Sequence, residues 1–129
     1  MKIGMIFLII ALFGVIIFLN GCGSNTQELT ILKDKTVLNQ SICSSLEDYV
    51  FIYQTGCQHC EKVVPRLEQV EQELNITFKE YNLAVKEDRT HFDNLDILVR
   101  GVPAVIIHCK VMIGDQYSAD DFKNAVNSG

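Results

Sequence analysis

A pair of cysteines at the junction between an apolar run and an amphipathic segment constrains this chain more than any other feature. Residues 49–53 read YVFIY, a β-branched and aromatic run that predicts a buried central strand. Thr55-Gly56 ends the run, and Cys57 and Cys60 follow it directly. Such a pair serves either redox chemistry or metal binding, and the spacing alone does not choose between them.

From Cys57 onward the hydrophobic period becomes that of a helix ending near Asn75. Its apolar stripe consists of Val63, Val64, Leu67, Val70 and Leu74. A sulfur at the first turn of a helix lies near unsatisfied N–H groups and the positive end of the helix dipole. Both favour the thiolate, which is the nucleophile of disulfide exchange. We therefore predict that Cys57 attacks first and that Cys60, one turn further on the same face, resolves the mixed disulfide.

The remaining segments alternate between strand and helix patterns. Strands are predicted at 28–33, 76–83, 104–109 and 111–114, the last two forming a hairpin with its turn near Lys110. Residues 37–48 carry mixed signals.

Two further helices are predicted after the second of these strands. A short helix begins at Asp88 or Thr90 and turns Phe92, Leu95 and Leu98 inward. A C-terminal helix begins at residues 118–121 (SADD), which form a capping box with Asp in the acidic position.

Residues 1–22 form a separate segment with a single charge, Lys2. The apolar run 3–19 is at the short end of the roughly 17–25 residues that span a bilayer, and it also fits a signal peptide. Its end, LNGC, resembles a bacterial lipobox, in which Cys22 becomes the lipid-modified N-terminus, although Asn20 is unusual there. Lipid attachment at Cys22, an uncleaved helix and release after cleavage remain open. The first two predict a domain anchored at the extracytoplasmic face, in the periplasm or at the cell surface.

Residues 23–27 are small and polar and are predicted to link this anchor to a domain at 28–129. The chain has a formal net charge of −5 and no basic stripe, which excludes nucleic acid as a partner. We expect a monomer. Beyond Cys22 the chain has four cysteines, and an even count in an oxidising compartment suggests two disulfides with the pairing open.

Three landmarks in this order resemble the thioredoxin-like family of thiol–disulfide oxidoreductases. They are a strand followed by Cys-x-x-Cys, Pro65 five residues after the second cysteine, and Gly101-Val102-Pro103 before an apolar strand. The resemblance implies an α/β fold with a central mixed β-sheet flanked by helices, preceded here by an N-terminal hydrophobic helix. It also implies a cis bond at Val102-Pro103 that faces the cysteine pair and binds a substrate backbone.

This resemblance implies that Gln58 and His59, which lie between the two cysteines, tune the reduction potential of the pair. Cys-Gln-His-Cys is similar at its third position to the Cys-Pro-His-Cys of bacterial periplasmic disulfide oxidases, with Gln58 in place of Pro. His59 would stabilise the Cys57 thiolate and make the disulfide a better oxidant. The alternative is an exposed residue without a role.

One departure from thioredoxin concerns the reducing direction. Where thioredoxin has a buried Asp that helps to deprotonate the second cysteine, this chain has Phe51. Glu80, on the neighbouring strand, either substitutes for that acid or faces solvent. The missing acid argues against an efficient general reductase.

The implied topology also concerns Cys43 and Cys109. If strand 49–53 pairs antiparallel with 104–109, both cysteines reach the sheet end opposite the redox pair. They form a structural disulfide there or remain two buried thiols.

These features predict an extracytoplasmic, membrane-tethered thiol–disulfide oxidoreductase that acts as an oxidase or isomerase. Its partners would be thiols and disulfides of exported proteins and a membrane protein that regenerates the pair. No organic cofactor and no metal are expected, since the dithiol carries the electrons. The alternatives are a thioredoxin-like reductant, for example in cytochrome maturation, and a Cu(I) metallochaperone that uses both thiolates as soft ligands.

Overall fold

The computed structural model describes residues 28–129, so the predicted anchor, with Cys22, and the linker lie outside the described residues. The elements in chain order are β1 (Thr30–Ile31), α1 (Gln40–Cys43), β2 (Tyr49–Tyr53), α2 (Gln58–Leu74), β3 (Lys79–Asn82), α3 (Lys86–Asn94), β4 (Ile97–Leu98), β5 (Ala104–Ile107), β6 (Lys110–Ile113) and α4 (Ala119–Asn127). In this range no helix has the length and apolar character needed to cross a bilayer.

A four-stranded mixed sheet in the order β3-β2-β5-β6 forms the centre of the domain. Strand β2 pairs parallel with β3 and antiparallel with β5, and β5 pairs antiparallel with β6. A short parallel pair, β1 with β4, forms a separate two-stranded sheet. This order and pairing, with helices on both faces, is a thioredoxin-like α/β fold, as the resemblance implied.

The core has two halves because successive side chains of β2 point to opposite faces of the sheet. Phe51 faces helices α2 and α4, where it packs with Val63 and Phe122. Val50 and Ile52 face the other side, which α3 covers with Phe92. Helix α2 therefore lies on a fully packed face, and its first turn has a fixed position at the end of β2.

Several predicted elements are confirmed. Strand β2 covers residues 49–53 as predicted, and α2 ends at Leu74 with Asn75 in the left-handed conformation that terminates a helix (φ 51°). The Ser118–Asp121 capping box is present at the start of α4.

The predicted antiparallel hairpin of β5 and β6 is present, but its turn comes just before Lys110, which is the first residue of β6. Strand β5 ends at Ile107, and the turn consists of His108 and Cys109, with φ values of 46° and 68°. Two-residue hairpin turns need such positive φ values and favour Asn and Gly, so this sequence gave no local signal for one.

The short helix predicted around Phe92 is present, but both of its predicted ends are wrong. Helix α3 begins at Lys86, and Asp88 does not cap it but accepts a hydrogen bond from the Asn82 N–H at 2.8 Å. Asp96 has a φ of 52°, which ends the helical path and lets Leu98 continue in strand β4. Strand β3 is shorter than the predicted 76–83, because Phe78 N–H bonds the Glu71 side chain at 2.7 Å before the ladder begins.

Candidate redox site at the start of helix α2

Cys57 is the N-cap residue of α2, with extended backbone angles (φ −81°, ψ 103°). Its sulfur accepts a hydrogen bond from the Cys60 N–H at 3.2 Å, so it occupies the place that a Ser or Asp oxygen takes in an ordinary cap. Cys57 and Cys60 form a disulfide, with their Cα atoms 5.2 Å apart. The structure thus places the first sulfur on the unsatisfied N–H groups of a helix start, where an anionic sulfur is stabilised.

The two sulfurs differ in their access to solvent. Cys57 is partly exposed, whereas only 3% of the Cys60 surface is exposed. Cys60 packs in the same core half as Val63 and Phe51. A visiting protein can therefore reach Cys57 and not Cys60.

The turn that presents Cys57 is held by Asn82, at the end of the neighbouring strand. The Asn82 amide donates to Thr55 Oγ1 at 2.8 Å and accepts from the Thr55 N–H at 3.2 Å. Gly56 follows with φ +80°, which is a conformation that residues with a Cβ rarely adopt. Our sequence reasoning missed Asn82, although parallel strands β2 and β3 bring their carboxyl ends together and Tyr53 pairs with Asn82 in register.

A groove of about 260 Å³ runs beside the pair on the β3 side. It is lined by residues that include Tyr53, Gly56, Cys57, Glu61, Val64 and Asn82. Its aromatic and aliphatic walls and the carboxylate of Glu61 are next to the exposed sulfur.

The Val102-Pro103 peptide bond is cis. Ala104 pairs with Ile52, so Pro103 lies beside the carboxyl end of β2, from which the chain leads to Cys57. Val102 packs against both halves of the core, one of which contains both cysteines of the pair. The fold thus brings the two sequence landmarks to one end of the sheet.

Neither Val102 backbone group, N–H or carbonyl, has a hydrogen-bond partner within residues 28–129. The adjoining carbonyl of Pro103, by contrast, accepts from the Gly114 N–H at 2.9 Å.

Gln58 and His59 are both exposed on the first turn of α2. The His59 Nδ1 lies 2.9 Å from Asp115 Oδ2, and the described residues include no hydrogen bond from His59 to Cys57. The hydrogen bond with His59, and then one with Lys62, lowers the pKa of the Asp115 carboxyl below its ordinary value. Sequence reasoning missed Asp115, because nothing local connects it with a helix that begins more than fifty residues earlier.

No buried acid accompanies the pair in the described part of the chain. Phe51 is 2% exposed, and residues 28–129 contain no fully buried polar or charged residue. Glu80 pairs with Phe51 in register but its side chain is exposed. It is therefore not placed as an internal base for Cys60.

No protein-family model matches this sequence, and no curated protein matches it. Among solved structures, the chain is similar to the crystal structure of thioredoxin F from spinach chloroplast (short form). The TM-score is 0.46 at 20% sequence identity, and the match covers 77% of this chain and 90% of that chain. The strand order and pairing of the chain itself define its fold.

The second cysteine pair lies at the other end of β2. Cys43, the last residue of α1, and Cys109, in the β5–β6 turn, are joined by a disulfide with Cα atoms 5.5 Å apart. The His108 N–H donates to the Asp48 carbonyl at 3.0 Å, which fixes the turn next to the start of β2. Sequence reasoning gave His108 no role, and its ring contacts the Val126 carbonyl of α4 at 3.2 Å.

Within residues 28–129, no three His, Cys, Asp or Glu side chains are grouped closely enough to hold a metal ion.

Proposed function

We propose that this protein is a membrane-tethered, extracytoplasmic thiol–disulfide oxidoreductase that exchanges disulfides with exported proteins through Cys57 and Cys60. The observation that carries this proposal is the position of the Cys57 sulfur. It is partly exposed, it caps helix α2, and it accepts the Cys60 N–H at 3.2 Å. This environment favours a thiolate leaving group and nucleophile.

In the oxidising direction, a thiolate of the exported protein attacks the Cys57 sulfur of the Cys57–Cys60 disulfide. The bond between the two enzyme sulfurs breaks, and Cys60 leaves as a thiolate. A second substrate thiolate then attacks the substrate sulfur of the mixed disulfide and displaces Cys57 as a thiolate. The substrate loses two electrons and gains a disulfide, and the enzyme pair holds these electrons as a dithiol.

Two features support an oxidase or isomerase over a reductase. The cap position stabilises the reduced, thiolate form of Cys57, and this raises the reduction potential. Phe51 occupies the place of the buried acid that would deprotonate Cys60, and Glu80 is exposed. No organic cofactor is needed, because the dithiol carries both electrons.

A membrane partner must then remove the two electrons from the dithiol. A quinone-linked oxidase would suit the oxidising role, whereas a transmembrane thiol transporter would supply electrons for a reducing one. The anchor in this proposal is the segment 1–22, with lipid attachment at Cys22 or an uncleaved helix, and it is supported by the sequence pattern.

The unpartnered backbone groups of Val102 supply a docking point for the substrate chain. An extended segment on either side of a substrate cysteine can pair with this N–H and carbonyl as a short added strand. The neighbouring Pro103 has no N–H, and its carbonyl is used by Gly114. Both backbone groups of Val102 are therefore available at this end of the sheet.

The decisive experiment measures the reduction potential of the Cys57–Cys60 couple on the full chain in detergent, by equilibration with glutathione. A value near about −120 mV identifies an oxidant and a value near about −270 mV a reductant. Assays of refolding of a reduced substrate and of insulin reduction should agree with that direction.

Cys60→Ser should trap mixed disulfides with substrates, whereas Cys57→Ser should form none. Titration of the reduced chain with Cu(I) tests the other class of function. Tight stoichiometric binding together with no exchange activity would identify a metallochaperone and overturn the proposal.

A further inference from the structure

One face of α2 is attached to the loop between β6 and α4. His59, Lys62 and Arg66 lie three and four residues apart, so they share a face of the helix. All three contact Asp115 or its neighbour Tyr117. The redox pair thus begins a helix whose basic side is fixed to a single acidic residue.

Asp115 contributes in two separable ways. Its backbone carbonyl accepts from Arg66 Nη1 at 2.6 Å, and the Tyr117 carbonyl accepts from the same nitrogen at 2.7 Å. Its side-chain Oδ2 lies 2.9 Å from His59 Nδ1 and 3.3 Å from Lys62 Nζ. The backbone contacts hold the loop, whereas the carboxylate acts on the charged groups of the helix start.

We propose that Asp115 is a positioning residue of the redox pair. It fixes the His59 ring on the loop side of α2 and offsets the positive charge there, and so keeps the reduction potential of Cys57–Cys60 lower than the helix start alone would set it. This inference rests on the proposed function. It assigns to a loop residue part of the control that the sequence assigned to Gln58 and His59.

The sign follows from the local charges. On α2, Lys62 and Arg66 are cations and Glu61 is an anion, and the facing loop contributes the Asp115 carboxylate. Replacing Asp115 by Asn removes a negative charge from this group and frees the His59 ring. The helix start therefore carries less negative charge. The Cys57 thiolate is then stabilised, and the disulfide becomes easier to reduce.

The test uses the full chain in detergent and compares wild type with Asp115→Asn. We expect the equilibrium constant for reduction by glutathione to rise about tenfold, which corresponds to about 30 mV. The pKa of the Cys57 thiol, followed by the thiolate absorbance, should fall in parallel. Asp115→Glu keeps the charge and should stay close to wild type. Asp93→Asn removes the same charge from α3, on the other face of the sheet, and should leave the potential unchanged.

The action through His59 is tested by a double-mutant cycle. In a His59→Gln background, Asp115→Asn should shift the potential by clearly less than in the wild-type chain. An unchanged or lowered potential in Asp115→Asn overturns the inference, and an equal shift in both backgrounds overturns the positioning role. A wild-type chain that exchanges no disulfide with glutathione would instead refute the proposed function, so the two failures are distinguishable.

The variant should fold. Asp115→Asn leaves the Arg66 contacts in place, because these go to main-chain carbonyls. A loss of structure would therefore show that the carboxylate, and not the backbone, holds the loop, and it would overturn the separation on which the inference depends.

Discussion

The two disulfides lie at opposite ends of β2 and enclose very different lengths of chain. Cys57 and Cys60 are separated by 3 positions, and Cys43 and Cys109 by 66. A cross-link stabilises a fold mainly by restricting the unfolded chain, and this effect grows with the length of the closed loop. The short ring restricts almost nothing, so its opening costs the fold little. The long ring joins α1 to the far hairpin, so its opening gives the unfolded chain much more conformational freedom.

The surroundings of the two disulfides also fit one of them for exchange and the other for stability. The Cys57 sulfur accepts an N–H at a helix start, which stabilises a thiolate when the bond opens. Cys109 lies in a two-residue turn whose backbone is fixed by neighbours, including Leu38 N–H at 2.8 Å from its carbonyl. The comparison indicates that the molecule separates electron exchange from stability, with one disulfide for each.

The largest expected effect comes from Cys57→Ser, which should abolish disulfide exchange and mixed-disulfide formation. Ser is itself a favourable N-cap, so the free energy of unfolding should change little. Gel analysis of trapped adducts and urea unfolding measure the two quantities. Residual exchange at the wild-type rate would show that the reactive sulfur is elsewhere.

The reciprocal change is the double substitution Cys43→Ser and Cys109→Ser. Loss of a cross-link across 66 positions should lower the free energy of unfolding by about 4 kcal/mol in the chain-entropy model. Exchange through Cys57 should persist wherever the domain remains folded. If this variant lost exchange but kept its stability, the assignment of roles to the two disulfides would be reversed.

The sequence was most informative where one local pattern decides the structure. The change of hydrophobic period at Cys57 placed β2 and α2 correctly, because a strand repeat and a helix repeat differ over a few residues. Asn82 and Asp115 were not predicted because they reach the site through tertiary contacts, which the hydrophobic period of the sequence does not encode. The His108–Cys109 turn was not predicted because neither residue typically adopts the positive φ values that this turn needs.

A smaller effect is expected at the start of α4, which is capped by an oxygen, whereas α2 is capped by a sulfur. Ser118 caps α4 by accepting the Asp121 N–H at 3.1 Å, as Cys57 caps α2. Ser118→Ala should lower the free energy of unfolding by about 1 kcal/mol, the usual cost of losing a cap. The reduction potential should not change, because α4 carries no redox residue. A shifted potential would mean that the cap of α4 also controls the start of α2.

The smallest expected effect concerns how the stability provided by the Ser118–Asp121 capping box depends on pH. Hydrogen bonds from the Ser118 N–H, and then from its hydroxyl, hold the pKa of Asp121 below the ordinary 3.8. Since the folded pKa is depressed, this carboxylate stabilises the fold fully above its unfolded pKa and loses that effect as the pH falls through the folded value. Asp121→Asn should therefore flatten the loss of stability in urea unfolding between about pH 5 and pH 3. Asp120→Asn, which loses an exposed pair with Lys123 at 2.7 Å, is the matched control. If both variants flatten the curve equally, general surface charge explains the acid sensitivity and the capping box does not.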